Sequence, residues 1–205
     1  MTQYLLILLL SYFIGSISFS VIFSRKFAGF DLREKVSKNA GTTNVFRTVG
    51  KKAGALTFIC DVSKGVIAVV MAGIIGKLWE GTNVELIQYI AGFGAILGHT
   101  YPIFFEFRGG KGVATTIGVL LMLNPQVALI CLIFGIVLIA ITKMVSVGSI
   151  LSAILYPILI MFIGEKVILN ILLVSILTSL LIIFNHIENI KRIREGNENK
   201  LSFKK

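Results

Sequence analysis

The chain has 205 residues, 56% of them apolar and only 15% charged, with a formal net charge of +10. A soluble domain carries about 25% charged residues and cannot hide this much apolar side chain beneath its surface. Composition therefore excludes an ordinary cytosolic domain, a disordered chain and a disulfide-rich secreted domain, and leaves an integral membrane protein in which Cys60 and Cys131, both inside apolar runs, act as small hydrophobes.

Residues 2–23 are almost uniformly apolar or small. The run is too long for the apolar part of a signal peptide and lacks a basic flank, so it reads as a permanent first span. A hydrocarbon core of about 30 Å takes about 20 helical residues. Further spans are expected at 53–76, 86–105, 112–123, 126–142, 146–163 and 167–185. Asn124-Pro125 makes the fourth and fifth either one kinked helix or two short ones. The distribution of loop cations decides between them. With the 24–52 segment inside and seven helices, seventeen Lys and Arg fall inside and two, Lys77 and Lys166, fall outside, with Lys64 left within a span. Six helices would move Lys143 and the six tail cations outside. The expected fold is all-α: one membrane-embedded domain over 1–205 with seven transmembrane helices, N-terminus outside and C-terminus cytoplasmic. The apolar runs are continuous rather than alternating, which argues against a barrel.

Polar residues gather on the inside-facing segments. In the first, Gly29-Phe30-Asp31-Leu32-Arg33 leads to Ser37-Lys38-Asn39-Ala40-Gly41-Thr42-Thr43-Asn44 and then Arg47. Dense donors on a backbone able to bend suit an oxyanion. A polybasic strip lying on anionic headgroups would need only Lys and Arg. The second runs from Gly98-His99-Thr100-Tyr101-Pro102 to Arg108-Gly109-Gly110-Lys111-Gly112. Glycines and a lysine ahead of a helix N-terminus make an anion cradle; a plain interhelical turn is the alternative. It is not a Walker A loop, because Phe105 stands where that pattern's first glycine belongs and Gly112 follows the lysine. The third holds His186, Asn189, Arg192, Gly196 and Glu198 directly after the last span. His186 and Asn189, at i and i+3, share a helix face. A stop-transfer tail explains the cations here better than it explains these two residues. Within the second span, Asp61 and Lys64 at i and i+3 read as a mutually neutralising pair, since intramembrane charges are costly.

Several chemistries lack their residues. The aspartates are Asp31 and Asp61 and the histidines His99 and His186, so no carboxylate or Cys/His cluster is expected to hold a metal. There is no Gly-x-Ser-x-Gly elbow. Neither histidine has an aspartate five residues on, since Phe104 and Lys191 stand there.

The three motifs together resemble the bacterial acyl-phosphate:glycerol-3-phosphate acyltransferases, the PlsY family. The first is matched by Gly29, Asp31, Arg33, Ser37, Asn39, Gly41, Thr43, Asn44 and Arg47. The second is matched by His99, Pro102, Gly109, Gly110, Lys111, Gly112, Ala114, Thr115 and Gly118. The third is matched by His186, Asn189, Ile190, Arg192, Gly196 and Glu198, and Asp61-Val62-Ser63-Lys64-Gly65 matches a further stretch. Val36 and Lys38 stand where the family usually has glycine. The resemblance implies transfer of an acyl chain from acyl phosphate to the sn-1 hydroxyl of glycerol 3-phosphate, giving lysophosphatidate and inorganic phosphate. It implies catalytic roles for His186, Asn189 and Lys111. Substrate binding falls to Ser37, Asn39, Gly41, Thr43, Asn44, Arg47, His99, Gly109, Gly110, Gly112 and Thr115, with Asp61, Lys64 and Glu198 in support. It implies no metal or cofactor, a multi-pass place in the bacterial cell membrane with the active site on the cytoplasmic face, and lipid bilayer as surroundings. The enzyme that makes acyl phosphate is a possible transient partner; nucleic acid is not. A transporter or flippase of a phosphorylated small molecule is the alternative, but such proteins place their sites near the midplane, often between repeats. Here the polar residues lie to one side and no repeat is visible.

Overall fold

The computed structural model describes residues 2–35, 39–163 and 169–201. The described chain is helical, and it divides into two compact units, 1–123 and 124–205.

In the first unit α1 (Thr2–Gly15) and α2 (Phe19–Ala28) form one apolar stretch broken at residues 16–18. The expected continuous helix over 2–23 is therefore interrupted and runs five residues further. The break has a partner from far along the chain. Lys64 Nζ donates to Gly15 O at 2.9 Å and to Ile17 O at 3.0 Å, taking up carbonyls that a helix end leaves open. After the short α3 (Thr42–Thr48) comes the 28-residue α4 (Lys51–Leu78), then α5 (Val84–Thr100) and α6 (Val113–Leu123). Helix α1 packs along α5, and α4 packs on both α5 and α6. Gly94 and Gly98 of α5 lie so close to Leu8 O and Tyr12 O of α1 that a Cβ would overlap them. This is the small-residue seam by which helices associate in lipid, where apolar surface alone gives no preference for protein over acyl chain.

Helix α5 ends at Thr100, not at 105 as the apolar run suggests. Pro102 has no N–H to continue it and disfavours helical backbone at Tyr101. A single 3₁₀ turn follows at Ile103–Phe105.

The second unit begins where Asn124 caps α7 (Pro125–Thr142) by accepting from Val127 N at 3.1 Å, with Pro125 at the first helical position. The Asn-Pro junction thus separates two helices rather than kinking one. Helix α8 (Val145–Ile163) packs on α7, and α9 (Leu169–Asn185) on α8. Short polar ties replace a water-driven core: Ser152 Oγ donates to Cys131 O, Ser175 Oγ to Tyr156 Oη, and Ser179 Oγ to Ala153 O. At His186 the chain bends by 54° into α10 (Ile187–Arg194).

Leu5, Ile59, Ile74, Ile141 and Phe162 stand exposed, as side chains do that face hydrocarbon rather than water. Among the described residues, counting α1 and α2 together, four helical stretches are long and apolar enough to cross a membrane, and α9 with α10 makes a fifth if the bent pair is one span. At 11 residues α6 is about 16 Å long, short of a full bilayer core.

Candidate active site

The first motif is a folded cap and not a solvated strand of cations. Leu32, Val45 and Ala53 bury against one another, with Phe30 and Val49 packed alongside. That small core seats α3 on the start of α4. Asn44 Nδ2 then donates to Lys35 O at 3.3 Å and Asn39 O at 3.1 Å, tying the loop to the helix. Gly41 caps α3, whose first turn carries Thr43 and whose last turn carries the exposed Arg47. Ser37, with Val36 and Lys38, lies outside the described residues.

Asp31 and Arg33 fix the front of this cap. The Asp31 carboxylate accepts from the Arg33 backbone N–H at 2.9 Å and from Arg33 Nε and Nη2 at 3.0 and 2.9 Å, a bidentate fork. Arg25 Nη2 adds a third partner at 2.7 Å. The Arg33 guanidinium holds the Asp31 carboxyl well below the usual carboxylate range, and the carboxylate in turn pushes Arg33 up. The remaining Arg33 nitrogen, Nη1, donates to Phe105 O at 2.7 Å and so reaches the second motif.

Backbone contacts complete that junction. Ala40 N donates to Gly109 O at 3.2 Å, Gly109 N to Thr100 O at 3.1 Å, and Gly110 N to His99 O at 3.0 Å. Ser20 Oγ closes the set by donating to Ala40 O at 2.7 Å. The sequence suggested that Gly109 and Gly110 offer their amides to a phosphate. Both amides instead bond protein carbonyls. A Cβ on Gly110 would run into the His99 ring and Ala40 O, so this glycine serves a close approach of chain to chain. The left-handed backbone falls at Gly112, with φ 85°, immediately before α6. Lys111 is half-buried beside it and Thr115 fully buried one turn on.

Behind this layer lies a buried charged group. Lys64 Nζ sits 3.1 Å from Asp61 Oδ1, and His99 Nδ1 sits 3.5 Å from the same oxygen. All three side chains are nearly inaccessible. Asp61 and Lys64 are thus structural partners of each other, and His99 joins them from α5.

The third motif gathers around Glu198. Its carboxylate accepts from Ser146 Oγ at 2.8 Å, Asn189 Nδ2 at 2.7 Å and Arg192 Nε at 2.9 Å. Burial pushes the Glu198 carboxyl up, but these bonds outweigh it and hold it below the ordinary range. His186 caps α10, and its Nδ1 lies 2.8 Å from Ile182 O. A carbonyl only accepts, so Nδ1 carries a proton. Among the described residues no three His, Cys, Asp or Glu side chains come together where one metal ion could reach them.

Two residues that organise these segments had no assigned role from sequence. Arg33 was visible in the motif, and its Asp-x-Arg spacing beside a short turn was the available signal. Ser146 gave none, being one hydroxyl in an apolar run.

Comparison with known proteins follows the same outline. The family model described as glycerol-3-phosphate acyltransferase matches residues 5–196. The glycerol-3-phosphate acyltransferase of Clostridioides difficile (strain 630) is 42% identical over 203 residues, 99% of this chain and 98% of that protein. That of Thermoanaerobacter sp. (strain X514) is 40% identical, covering 96% and 94%. Among solved structures, the glycerol 3-phosphate form of PlsY (YgiH), an integral membrane glycerol 3-phosphate acyltransferase, superposes with a TM-score of 0.86 at 36% identity. The match covers 97% of this chain and 96% of that one. The lysophosphatidic acid form of the same enzyme gives 0.82 at 33% identity, covering 97% and 95%.

Proposed function

The chain belongs to the glycerol-3-phosphate acyltransferase family, a family of membrane enzymes, and from that premise we propose that it takes its acyl group from acyl phosphate and delivers it to the sn-1 hydroxyl of glycerol 3-phosphate. The hydroxyl oxygen attacks the acyl carbon, the bond from that carbon to the phosphate oxygen breaks, and phosphate leaves with the electron pair. The hydroxyl proton passes to the departing phosphate. Lysophosphatidate and inorganic phosphate result. No acyl-enzyme forms.

A mixed anhydride has a good leaving group already. The protein's task is to orient two anions against their mutual repulsion. In this reading Ser37, Arg47 and Lys111 hold the glycerol 3-phosphate phosphoryl group, helped by Asn39 and Thr43. Gly41, Asn44, His99, Gly109, Gly110, Gly112 and Thr115 shape the binding segments, with Gly109 and Gly110 acting through packing. His186 and Asn189 orient the glycerol. Asp61, Lys64 and Glu198 hold the others in place. The bundle crosses the bacterial cell membrane seven times with these motifs on the cytoplasmic side. The observation that supports the reading best is the Ala40 N–H to Gly109 O bond, which joins two oxyanion-suited segments into one polar layer.

The deciding experiment uses purified protein in detergent or lipid. Phosphate release from acyl phosphate is expected only when glycerol 3-phosphate is added. Release without the acceptor, or none with it, would overturn the proposal. Orientation has its own test, in a background lacking Cys60 and Cys131. A cysteine at Gly81 is expected to react with an impermeant thiol reagent in intact cells, and one in the C-terminal tail to resist it.

A further inference from the structure

Glu106 and Phe107 both hold φ at 57°. Left-handed backbone is disfavoured for any residue with a Cβ, and two such residues in succession persist only where their surroundings enforce it. Their own side chains add one loose contact, Glu106 Oε1 lying 3.7 Å from Arg33 Nη2. The Glu106 side chain is 71% exposed and Phe107 is 56% exposed. What holds the turn is backbone bonding at its base: Phe107 N to Pro102 O at 2.9 Å and Arg108 N to Phe105 O at 3.1 Å. To these Arg33 Nη1 adds its 2.7 Å bond to Phe105 O, the carbonyl immediately before the left-handed pair.

Arg33 is suited to anchor that carbonyl. It is 7% exposed, and two of its nitrogens are locked in the Asp31 fork, so the third has one direction in which to point. Directly after the turn the chain runs Arg108-Gly109-Gly110-Lys111. The Gly109 and Gly110 amides bond Thr100 and His99, and Gly112 opens α6. A slip in the turn therefore shifts the approach of Lys111 to the helix.

We propose that Arg33 is a positioning residue for acyl transfer: by pinning the Phe105 carbonyl it enforces the left-handed Glu106–Phe107 pair and so sets Lys111 at the start of α6. This deepens the acyltransferase reading and rests on it. Lysine could keep the charge but not the fork. Arg33→Lys is expected to lower kcat/KM by about tenfold or more, the size of one lost charge-assisted bond, with KM for glycerol 3-phosphate moving more than kcat. Amides 107–110 are expected to exchange hydrogen faster. Adding Glu106→Gly and Phe107→Gly to Arg33→Lys is expected to restore activity by about threefold or more, because glycine takes this backbone without strain. Wild-type kinetics in Arg33→Lys, or no recovery with the glycines, overturns the proposal.

If Arg33→Lys does not fold, Phe107→Val with Arg33 intact tests the other half of the proposal, that the left-handed turn sets Lys111, since a β-branched residue resists left-handed backbone. It is expected to reproduce the raised KM and the faster exchange, and wild-type values for both overturn the idea. Hydrogen exchange does not depend on turnover. A wild-type protein that transfers no acyl group would defeat the reading of function, while unchanged exchange in the variants would defeat this one.

Discussion

Lys64 in the first unit and Glu198 in the second are buried charges opposite in sign and in what they gather. In the first unit Lys64 faces two carbonyls, Gly15 O and Ile17 O, and one carboxylate, Asp61. Nζ donates to the two carbonyls, which are backbone at a break in a span, and forms an ion pair with Asp61 Oδ1 at 3.1 Å. In the second unit Glu198 accepts from three side chains, Ser146, Asn189 and Arg192. The first hub therefore fixes the course of the chain, and the second fixes side chains of the third motif. Loss of Lys64 should register as stability. Loss of Glu198 should register as stability and kinetics together.

Lys64→Met should have the largest effect. It leaves the buried Asp61 carboxylate with only the His99 ring beside it and frees two carbonyls, and breaking a buried pair in this way typically costs about 3–5 kcal/mol. The melting temperature in detergent is expected to fall sharply. Asp61→Asn combined with Lys64→Met should recover part of the loss, because no lone charge remains. A double variant as unstable as Lys64→Met would mean that the carbonyl contacts, and not the ion pair, carry the hub.

Glu198→Gln comes next. It keeps the shape but removes the charge from three bonds, a loss of about 1.5–3 kcal/mol if one charge-assisted bond fails outright. The sign of the pH dependence follows from the depressed Glu198 carboxyl. Its stabilisation is complete above the unfolded glutamate value of about 4.3 and fades as pH falls through the lower folded value. Melting curves taken from pH 7 down to pH 3 should show this acid limb in the native protein and a flatter one in Glu198→Gln. Equal limbs would remove Glu198 from the role of hub.

These two hubs also mark where the sequence could and could not be read. Asn124-Pro125 announces its own helix start, because the cap and the proline act within one turn. The pairing of Asp61 with Lys64 is likewise local. The break at residues 16–18 is not, since the apolar run continues through it and the residue that stabilises it comes from α4. Pro102 is a local stop signal for α5, though the apolar run continues beyond it. The composition of the motifs suits oxyanion binding. Their joining through Arg33 and Phe105 depends on residues 72 apart, which spacing along the chain cannot reveal. The role of Gly110 was missed for the same reason: the His99 ring it accommodates lies on another element.

Arg47→Ala separates binding from architecture. Arg47 is exposed at the end of α3, away from the small core of Leu32, Val45 and Ala53. If it holds a substrate phosphate, its loss should lower kcat/KM by about tenfold or more, one charge-assisted contact. The melting temperature should stay near that of the native protein, unlike that of Lys64→Met. Unchanged kinetics would remove Arg47 from the site.

His186→Gln should have the smallest effect, and it decides the route of the proton. His186 donates from Nδ1 to Ile182 O, while Ser146, Asn189 and Arg192 hold Glu198. Glu198 keeps all three of its partners when the imidazole is replaced, so the fold should survive. Two groups could take the proton from the attacking hydroxyl. One is the His186 Nε2 lone pair. The other is the phosphoryl group of the acyl phosphate, whose oxygens lie beside the carbonyl under attack and which departs as inorganic phosphate. General-base help contributes typically 10²–10⁴-fold. A phosphate that leaves readily and accepts the proton as it goes can supply that itself, with His186 and Asn189 orienting the glycerol. Glutamine retains hydrogen-bonding capacity without a titrating ring. Measurable turnover with an unchanged acidic limb in the pH–rate profile is therefore expected. If turnover vanishes while glycerol 3-phosphate still binds, or if the limb near pH 6–7 disappears with the imidazole, His186 is the base, and the second unit contributes chemistry rather than orientation.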